Sequence, residues 1–463
     1  MPLGMADAGL NGKKLEFLGI DACLMMGPES IHPVRDLART YIACAEIDYG
    51  RGWNYQDFFT YLAANRSASI QDIARREVAL WDAWHNVTTA SPAERLSRSH
   101  AAIDLGQWKP FAEAYTTMVD AMKNDTALEW IEVARATWRD RPDYWSPIES
   151  GSQTPIYLDL GTLLQRWSSI TSSPSRASQA AGVRNLFGNV MLASAQGTMR
   201  KGSHQSGMQI EFASSRLYHD DANRLADYRN TAWSQATRAG DLLGAVLAHR
   251  DESKPQATFS LNEKSEQVEV VTYCSEIDVA DGELRLYQHT TNGDFLAFGV
   301  LGHGEMIPNR AYGLNWQRDQ LTVADKTAAS PCYFMVWVSA GADSIYAVPG
   351  YVGIDSRQIP VLLLVGSRDQ TANQIVVTDD NRSVTDVLRA GWTFTPILYR
   401  VGDEVKEELQ TRLTVPDSGV LDLRYRRVDT GSYQFGSWVT DVWGNTGVQF
   451  TESVIVPAPA GSG

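Results

Sequence analysis

Hydrophobic and polar positions divide this chain into two parts with different periodicities. Residues 1–252 alternate short apolar runs with stretches of helical spacing, which predicts strands interleaved with helices. Beyond residue 253, apolar positions recur every second residue in short runs such as Val268–Tyr273, and turn residues such as Asn292-Gly293-Asp294 separate them. The pattern predicts an α/β layer domain followed by a β-rich region.

The first predicted strand begins at Leu15 and ends on Asp21-Ala22-Cys23. Open α/β sheets place functional side chains at the carboxyl ends of strands, so a thiol at this position is a candidate nucleophile. Free Cys is also among the most buried residue types, and the pattern alone leaves both interpretations open. After Gly27 we expect a helix that runs to about Arg39.

Helical spacing predicts several further helices in the first part, and Ser69-Ile70-Gln71-Asp72 is typical of the capping box that opens one of them. The remaining predicted helices cover residues 108–122, 127–139, 160–170, 177–195 and 222–247, and the remaining strands cover residues 41–46, 101–105 and 208–212.

A charged segment that ends on Pro255 indicates a domain boundary. We therefore expect a first domain over residues 1–252. A β-sandwich-like domain over 253–347 and a second β-rich domain over 348–456 should follow. The tail 457–463 is rich in Pro, Gly and Ala, and we expect it to be disordered.

Charge and motifs exclude several classes of function. The chain has 463 residues, of which 41 are basic and 55 acidic, and its net charge of −14 argues against nucleic acid or anionic membrane as the main partner. A run of 18 apolar residues, which a membrane-spanning helix would need, does not occur. The sequence also contains neither a Walker loop nor a Gly-x-Gly-x-x-Gly motif after a strand, which disfavours nucleotide chemistry.

Cysteine and acidic patterns give little support to a cofactor. The four Cys residues form no Cys-x-x-Cys pair, so we expect no zinc site, and whether Cys274 and Cys332 pair stays open. The acidic turn Asp379-Asp380-Asn381 is a weak Ca²⁺ candidate that lacks the alternating ligand spacing of an EF-hand loop. We expect a bare turn and no cofactor.

The residues around Cys23 carry a resemblance to a known family. Asp-Ala-Cys-Leu-Met begins at Asp21, a second strand ends near Glu46, and Gly-Arg-Gly-Trp-Asn-Tyr begins at Gly50. In this order the segment resembles the clostripain family of cysteine endopeptidases, closely over residues 15–62 and more loosely in later blocks. The resemblance implies a caspase-like, three-layer sheet domain, of which this chain would contain a part.

The resemblance also implies roles for individual residues. Cys23 matches the nucleophile, and Asp21 matches the carboxylate that pairs with an Arg or Lys side chain of the substrate. A carboxylate suits a guanidinium because it accepts two hydrogen bonds at once. From the residues alone, Asp21 has the alternative of capping the following turn. Glu46 either helps to hold the basic side chain or is a surface carboxylate, and Asp48 is a poorer candidate for the same task.

One element of the family pattern has no match. The family's catalytic His lies upstream of the Cys in a strand that ends in Asp-His-Gly, whereas only 22 residues precede Cys23 and none is His. We expect a truncated chain, inactive alone, whose missing N-terminal segment contains the His. A separate light chain and a degenerate relative are the alternatives. His204, His32 and His303 are weak substitutes, because a general acid needs the right geometry first.

The sequence therefore predicts a cysteine endopeptidase that cleaves protein or peptide substrates after Arg or Lys. The resemblance implies a secreted or cell-envelope location in a bacterium, although the start from Met1 leads into no signal peptide. The alternative is a non-catalytic binding or adhesion protein that uses its tandem β-domains.

Overall fold

The computed structural model divides into two compact units, residues 1–250 and 251–463, and each is described by itself. The residues that the structure describes are 13–46, 48, 50–87, 94, 98–122, 131, 157–170, 174–197, 206–212, 223–249, 253–264, 267–306, 309–338, 345–366, 371–379, 382–402, 404–443 and 445–457.

The first unit mixes helices and strands. In chain order they are β1 (Leu15–Ile20), α1 (Pro28–Ile31), β2 (Ala38–Cys44), α2 (Tyr55–Ala64), α3 (Ile70–His85), β3 (Ser99–Asp104), α4 (Trp108–Met122), β4 (Tyr157–Asp159), α5 (Leu160–Trp167), α6 (Pro174–Val190), β5 (Met191–Gln196), β6 (Gln209–Glu211), α7 (Arg224–Arg229), α8 (Ala232–Thr237) and α9 (Ala239–Ala248).

A sheet in the order β1-β2-β3-β5 forms the centre of this unit as described. The strands β1 and β2 run parallel, and β3 and β5 continue the sheet antiparallel. Helix α3 packs on one face of the sheet, because Ala74, Val78 and Trp81 recur at helical spacing and form one buried cluster with Ile42 and Cys44. Strands β4 and β6 pair with each other in a separate two-stranded sheet.

The predicted capping residue at the start of α3 is confirmed. The backbone N–H of Asp72 donates to the hydroxyl oxygen of Ser69 at 3.1 Å, which satisfies one of the free donors at the helix start. The same hydroxyl donates to the carboxylate of Asp72 at 2.7 Å. Helix α4 has the bounds that its apolar spacing predicts, residues 108–122.

The helix predicted to run from Gly27 to about Arg39 is wrong beyond its first turns. Helix α1 ends at Ile31, a single 3₁₀ turn covers His32–Val34, and β2 begins at Ala38. Pro33 supplies the physical reason, since proline has no N–H for an intrahelical bond and its ring clashes with the preceding turn.

Two other predicted helices are divided in the structure. The segment predicted as a helix over 177–195 leaves the helix after Val190, and β5 then pairs with β3. The segment predicted as one helix over 222–247 forms α7, α8 and α9. Thr231 caps the second of these through the N–H of Ser234, and Arg238 takes the left-handed conformation (φ 63°) before the third. The predicted helix over 127–139 lies outside the described residues apart from Ile131.

The second unit consists of strands. In chain order they are β7 (Thr258–Glu263), β8 (Val268–Tyr273), β9 (Val279–His289), β10 (Phe295–Glu305), β11 (Ala311–Trp316), β12 (Asp319–Ala324), β13 (Ala329–Pro331), β14 (Met335–Val338), β15 (Ile345–Ile354), β16 (Arg357–Gly366), β17 (Thr371–Asp379), β18 (Arg382–Val387), β19 (Thr393–Val401), β20 (Val405–Leu409), β21 (Leu413–Thr414), β22 (Leu421–Arg427), β23 (Gly431–Asp441), β24 (Thr446–Phe450) and β25 (Val454–Val456).

Long antiparallel strands organise this second unit. Sixteen of the described strands join in one sheet, and β7, β8 and β11 form another. The predicted boundary between residues 347 and 348 falls inside β15, which pairs with β16 along its whole length. The division of this unit into two domains stays a prediction.

Several other expectations concern this unit. Cys274 and Cys332 are separate buried thiols, so the pairing that the sequence left open is not present. The Ca²⁺ candidate turn at 379–381 lies outside the described residues except for the backbone of its first residue, and so does the tail beyond Pro457. In the described part of the chain, every helix is too short or too polar to span a bilayer.

Candidate active site

The turn that follows β1 exposes the side chain of Cys23 to solvent. Two backbone bonds fix this turn beside the end of β2: the N–H of Leu24 donates to the carbonyl of Glu46 at 3.0 Å, and that of Met26 donates to the carbonyl of Cys44 at 2.9 Å. Leu24 has a φ of 60°, a conformation that costs a non-glycine residue about 1–2 kcal/mol. The bonds to the neighbouring strand therefore hold the thiol in a strained turn.

The Cys23 sulfur contacts the loop that follows β2. The backbone N–H of Asp48 donates to Sγ at 3.2 Å, and the thiol lies 4.0 Å from the carbonyl oxygen of the same residue. One residue of the neighbouring loop thus orients the candidate nucleophile through its main chain.

Asp21 lies two residues before the thiol and is also exposed. The hydroxyl of Tyr55 donates to its Oδ2 at 2.5 Å. Burial would raise the pKa of Asp21, but the nearby Asp48 carboxyl group, the hydroxyl of Tyr55 and the backbone of Trp53 outweigh it and leave the pKa below its usual value. Asp21 is therefore a carboxylate at neutral pH.

The carboxyl group of Asp48 lies beside that of Asp21. Burial, followed by the proximity of Asp21, raises the pKa of Asp48 to about 7. Two adjacent carboxyl groups with pKa values pushed apart share a proton near neutral pH. Sequence reasoning ranked Asp48 below Glu46, whereas the structure places Asp48 against both Asp21 and Cys23.

Glu46 is fully buried, with an exposed fraction of 0%. The alternative that Glu46 is a surface carboxylate is therefore wrong. Its main chain fixes the turn after Cys23, and its role in binding a basic side chain stays a prediction.

A buried polar group lies beneath the site. His100 Nδ1 is 3.2 Å from the sulfur of Cys44, and its Nε2 is 2.9 Å from Oε2 of Glu77. The ring of Trp81 stacks on His100 with centroids 4.6 Å apart. Burial raises the pKa of the Cys44 thiol well above its usual value, which excludes it as the nucleophile.

The spacing of residues in α3 is a sequence signal for this buried group that the motifs around Cys23 do not include. Glu77, Trp81 and His85 recur every four residues on the core-facing side of α3. His85 Nδ1 is 2.6 Å from Glu94 Oε1, and its Nε2 is 3.0 Å from the carbonyl oxygen of Gly52. Helix α3 thus supports the loop that contains the Gly-Arg-Gly-Trp sequence.

Gly52 is required by the geometry of that loop. Its φ is +57°, and an added Cβ would lie 3.4 Å from Oδ2 of Asp21. A glycine adopts this backbone conformation without steric cost and leaves the Asp21 carboxylate open.

The weak histidine candidates do not complete the site. His32 is buried and accepts a hydrogen bond from Nε1 of Trp108 at 3.2 Å. Burial, followed by the charge of Arg35, lowers the pKa of His32 to about 4. His303 belongs to the second unit, and His204 lies outside the described residues. Among the described histidines, none forms a hydrogen bond with Cys23.

Comparison with protein families decides the assignment. The family model described as the clostripain family matches residues 5–243, more than half of the chain. The chain belongs to the clostripain family. Asp21, Cys23 and Asp48 all lie within the matched residues, so the matched region includes the exposed turn described above.

Solved structures of cysteine proteases show a weaker likeness to this clostripain-family chain. A clostripain from Bacteroides thetaiotaomicron in complex with a peptide inhibitor is 16% identical, with a TM-score of 0.37, over 51% of this chain and 92% of that one. A B. fragilis cysteine protease is 17% identical, with a TM-score of 0.34, over 50% and 89%. An inactive zymogen C11 protease from Parabacteroides distasonis is 13% identical, with a TM-score of 0.36, over 48% and 59%. A comparison with curated protein sequences finds no match.

The described part of the chain contains no cluster of side chains suited to bind a metal ion. A group of three or more His, Cys, Asp or Glu side chains that could bind a metal ion does not occur there. The chemistry that these residues can supply is that of an exposed thiol beside a carboxylate pair.

Proposed function

We propose that this chain is the nucleophile-bearing part of a cysteine endopeptidase that hydrolyses peptide bonds after Arg or Lys. One observation carries the proposal: an exposed thiol, Cys23, lies two residues from the carboxylate of Asp21, and Asp48 contacts both. Membership of the clostripain family supports the same conclusion.

In this proposal the Cys23 thiolate attacks the carbonyl carbon of the scissile bond. The carbonyl π electrons move to oxygen, and the backbone N–H of Cys23 is the proposed donor to that oxyanion. Collapse of the tetrahedral intermediate breaks the C–N bond, gives a thioester and releases an amine, which must take up a proton. Water then hydrolyses the thioester.

The leaving amine needs a general acid, which typically contributes about 10²–10⁴-fold to the rate. We propose that a His from a segment outside the described residues, upstream or on a separate light chain, supplies this proton. Among the described residues β1 pairs only with β2, so its other edge is open to such a segment. A strand added there would extend the sheet toward the caspase-like arrangement that the resemblance implies.

Selectivity for basic residues would come from the carboxylate pair. A guanidinium can donate two parallel hydrogen bonds to the Asp21 carboxylate, and its positive charge favours loss of the proton from Asp48. Both carboxylates would then face the cation. The proposed substrates are proteins or peptides with Arg or Lys, and a secreted or cell-envelope location stays part of the proposal.

Covalent labelling tests the proposed nucleophile without requiring the general acid, because a chloride leaving group needs no proton. The chain would be treated with a peptide chloromethyl ketone that ends in Arg, and modified residues would be identified by mass spectrometry. We expect modification of Cys23 alone, since the other three thiols are buried.

Two controls make this experiment decisive. The same reagent with citrulline in place of Arg has the same shape without the charge, and it should react more slowly. The Cys23→Ala protein should not be modified. Equal rates for the Arg and citrulline reagents would contradict the proposed selectivity, and preferential modification of another cysteine would contradict the proposed nucleophile.

A further inference from the structure

A cavity of about 250 Å³ lies beside the turn that contains Cys23. Leu24, the next residue along the chain, lines it, together with Glu29 from α1, Gln209 from β6 and Asp227 from α7. We call this space the Glu29 cavity. Its volume is large enough for one side chain of a bound peptide, and its lining includes the residue that follows the proposed nucleophile.

The polar groups of the Glu29 cavity are held in place by contacts with one another. The hydroxyl of Tyr228 donates to Oε1 of Glu29 at 2.9 Å. Arg224 donates to Glu211 through Nε at 2.8 Å and Nη2 at 2.9 Å, a bidentate pair. Nε2 of Gln209 donates to the carbonyl oxygen of Leu24 at 2.5 Å. The last of these bonds connects the cavity wall directly to the turn after Cys23.

One side chain of the cavity lining has an acceptor without a donor. Gln209 is 3% exposed, and its Oε1 has no hydrogen-bond partner in the described part of the chain. A buried amide oxygen without a donor is unfavourable, so a ligand that donates a hydrogen bond there would remove this cost.

The charges of the cavity favour a cation. Because Glu211 neutralises Arg224, the remaining charged groups of the lining are the carboxyl groups of Glu29 and Asp227. An anion would have to compete with the bidentate pair for Arg224, and an apolar group would leave the oxygen of Gln209 without a donor. A group rich in N–H donors and positively charged fits both requirements.

We propose that the Glu29 cavity is a second substrate subsite, which binds the ammonium or guanidinium group of a basic side chain at a position other than the residue before the scissile bond. This inference rests on the peptidase function proposed above. It adds a second basic position to the sequence that the enzyme recognises, selected by Glu29, Asp227 and Gln209.

Peptide binding to the Cys23→Ala protein tests this subsite without cleavage. Fluorescent peptides with one Arg in an alanine background would carry a Lys at one of three positions on either side of the Arg. Norleucine, which has a similar length and no charge, would replace Lys in the matched peptides. We expect Lys to bind about tenfold more tightly than norleucine at one position, an effect between that of an exposed and a buried ion pair.

Variants of the chain assign this preference to the cavity. Glu29→Gln, which keeps an acceptor for Tyr228, and Asp227→Asn, at an exposed position, should each reduce the Lys preference several-fold. The control Glu113→Gln removes an exposed carboxylate of α4 that pairs with Lys109 and should leave the preference unchanged. Thermal unfolding would verify that each variant is folded, and Asp227→Asn tests the proposal even if Glu29→Gln does not fold.

The pH dependence gives an independent readout. Burial raises the pKa of Glu29 to about 7, so the preference for Lys should grow between about pH 6 and about pH 8 as this carboxyl group ionises. Among the described residues, the other titratable groups near Glu29 include Asp227, which lines the same cavity, together with Glu211, Tyr228, Tyr115 and Tyr157, and Arg224 pairs with Glu211.

The outcomes separate this inference from the proposed function. If peptides with Lys and with norleucine bind with equal affinity at every position, the subsite proposal is overturned. This holds even if peptides with Arg bind more tightly than matched peptides in which citrulline replaces the Arg. A Lys preference that survives both Glu29→Gln and Asp227→Asn also overturns it. Loss of the Arg preference alone, with the Lys preference intact, contradicts the proposed function at Asp21 and leaves the subsite standing.

Discussion

Replacing Asp21 by Asn tests how the exposed turn would select its substrate. The substitution keeps the shape of the side chain and an acceptor for Tyr55, whose hydroxyl lies 2.5 Å from Oδ2 of Asp21. It removes the carboxylate whose low pKa keeps it charged. Asp21 is exposed in the free chain, but a bound guanidinium would exclude water from it, and losing one partner of such a desolvated charge pair costs about 2–4 kcal/mol, or about 30- to 700-fold in rate.

The neighbouring Asp48 affects the size of this loss. Proximity to Asp21 is one cause of the raised pKa of Asp48, so the pKa of Asp48 should fall once Asp21 is neutral. In the variant Asp48 would therefore ionise below its present pKa of about 7, and its charge would partly replace that of Asp21 at neutral pH. We expect the loss in the Asp21→Asn protein to be smaller at neutral pH than at a pH low enough to protonate Asp48 in the variant.

The assay is the rate at which the Arg and citrulline chloromethyl ketones modify Cys23, compared in the two proteins. The Arg reagent should slow by the factor given above, and the citrulline reagent should change less than about threefold. The control Asp36→Asn removes an exposed carboxylate of the same unit and should change neither rate. Equal slowing of both reagents in the Asp21→Asn protein would refute the argument, because Asp21 would then act on the structure of the turn and not on selectivity.

Three further outcomes follow from the same site. In an active preparation that includes the proposed His segment, Cys23→Ala should abolish cleavage of a fluorogenic peptide after Arg, whereas Cys274→Ala, which alters a thiol of the second unit, should retain it. The chain as given should show no more turnover of that peptide than its Cys23→Ala control, and clear Cys23-dependent turnover would disprove this and make His204 the first residue to test. Gly52→Ala should lower the free energy of unfolding by about 1–2 kcal/mol, since φ is +57° there. The control is Gly50→Ala, whose added Cβ would lie in open space and should change the free energy of unfolding by less than about 0.5 kcal/mol. Both variants would be compared by thermal denaturation, and equal effects would contradict the strain argument.

The local spacing of apolar residues was sufficient to predict some of the helices and strands of the first unit. The apolar run before Asp21 predicted β1, and the spacing after Trp108 predicted α4 with its observed bounds, because in both segments the buried face and the local preference agree. The segment over 177–195 shows the limit of this reasoning. Its last residues form β5 because they pair with β3, a partner about ninety residues earlier in the chain that local spacing does not reveal.

The candidate site likewise contains residues that a local motif identifies and residues that only the folded structure brings together. Cys23 and Asp21 were identified from a contiguous motif, and the structure places both on one exposed turn. The contact of Asp48 with Cys23 and its position beside Asp21 join separate loops, which no spacing rule contains, and its ranking below Glu46 as a binding residue stays a prediction. The contact of His100 with Cys44 likewise joins two separate strands, and it becomes visible only when β2 and β3 are paired.

The two contacts of Asp48 have a consequence for how this site can be altered, by evolution or by design. Its backbone N–H positions the sulfur of Cys23, while its carboxyl group and that of Asp21 shift each other's pKa. An insertion or deletion in this loop would shift both at once, so reactivity and cation preference would change together. A side-chain substitution such as Asp48→Asn leaves the amide in place and alters only the charge. If the proposed peptidase function holds, point changes at this position should therefore alter substrate choice, whereas changes in loop length should abolish activity.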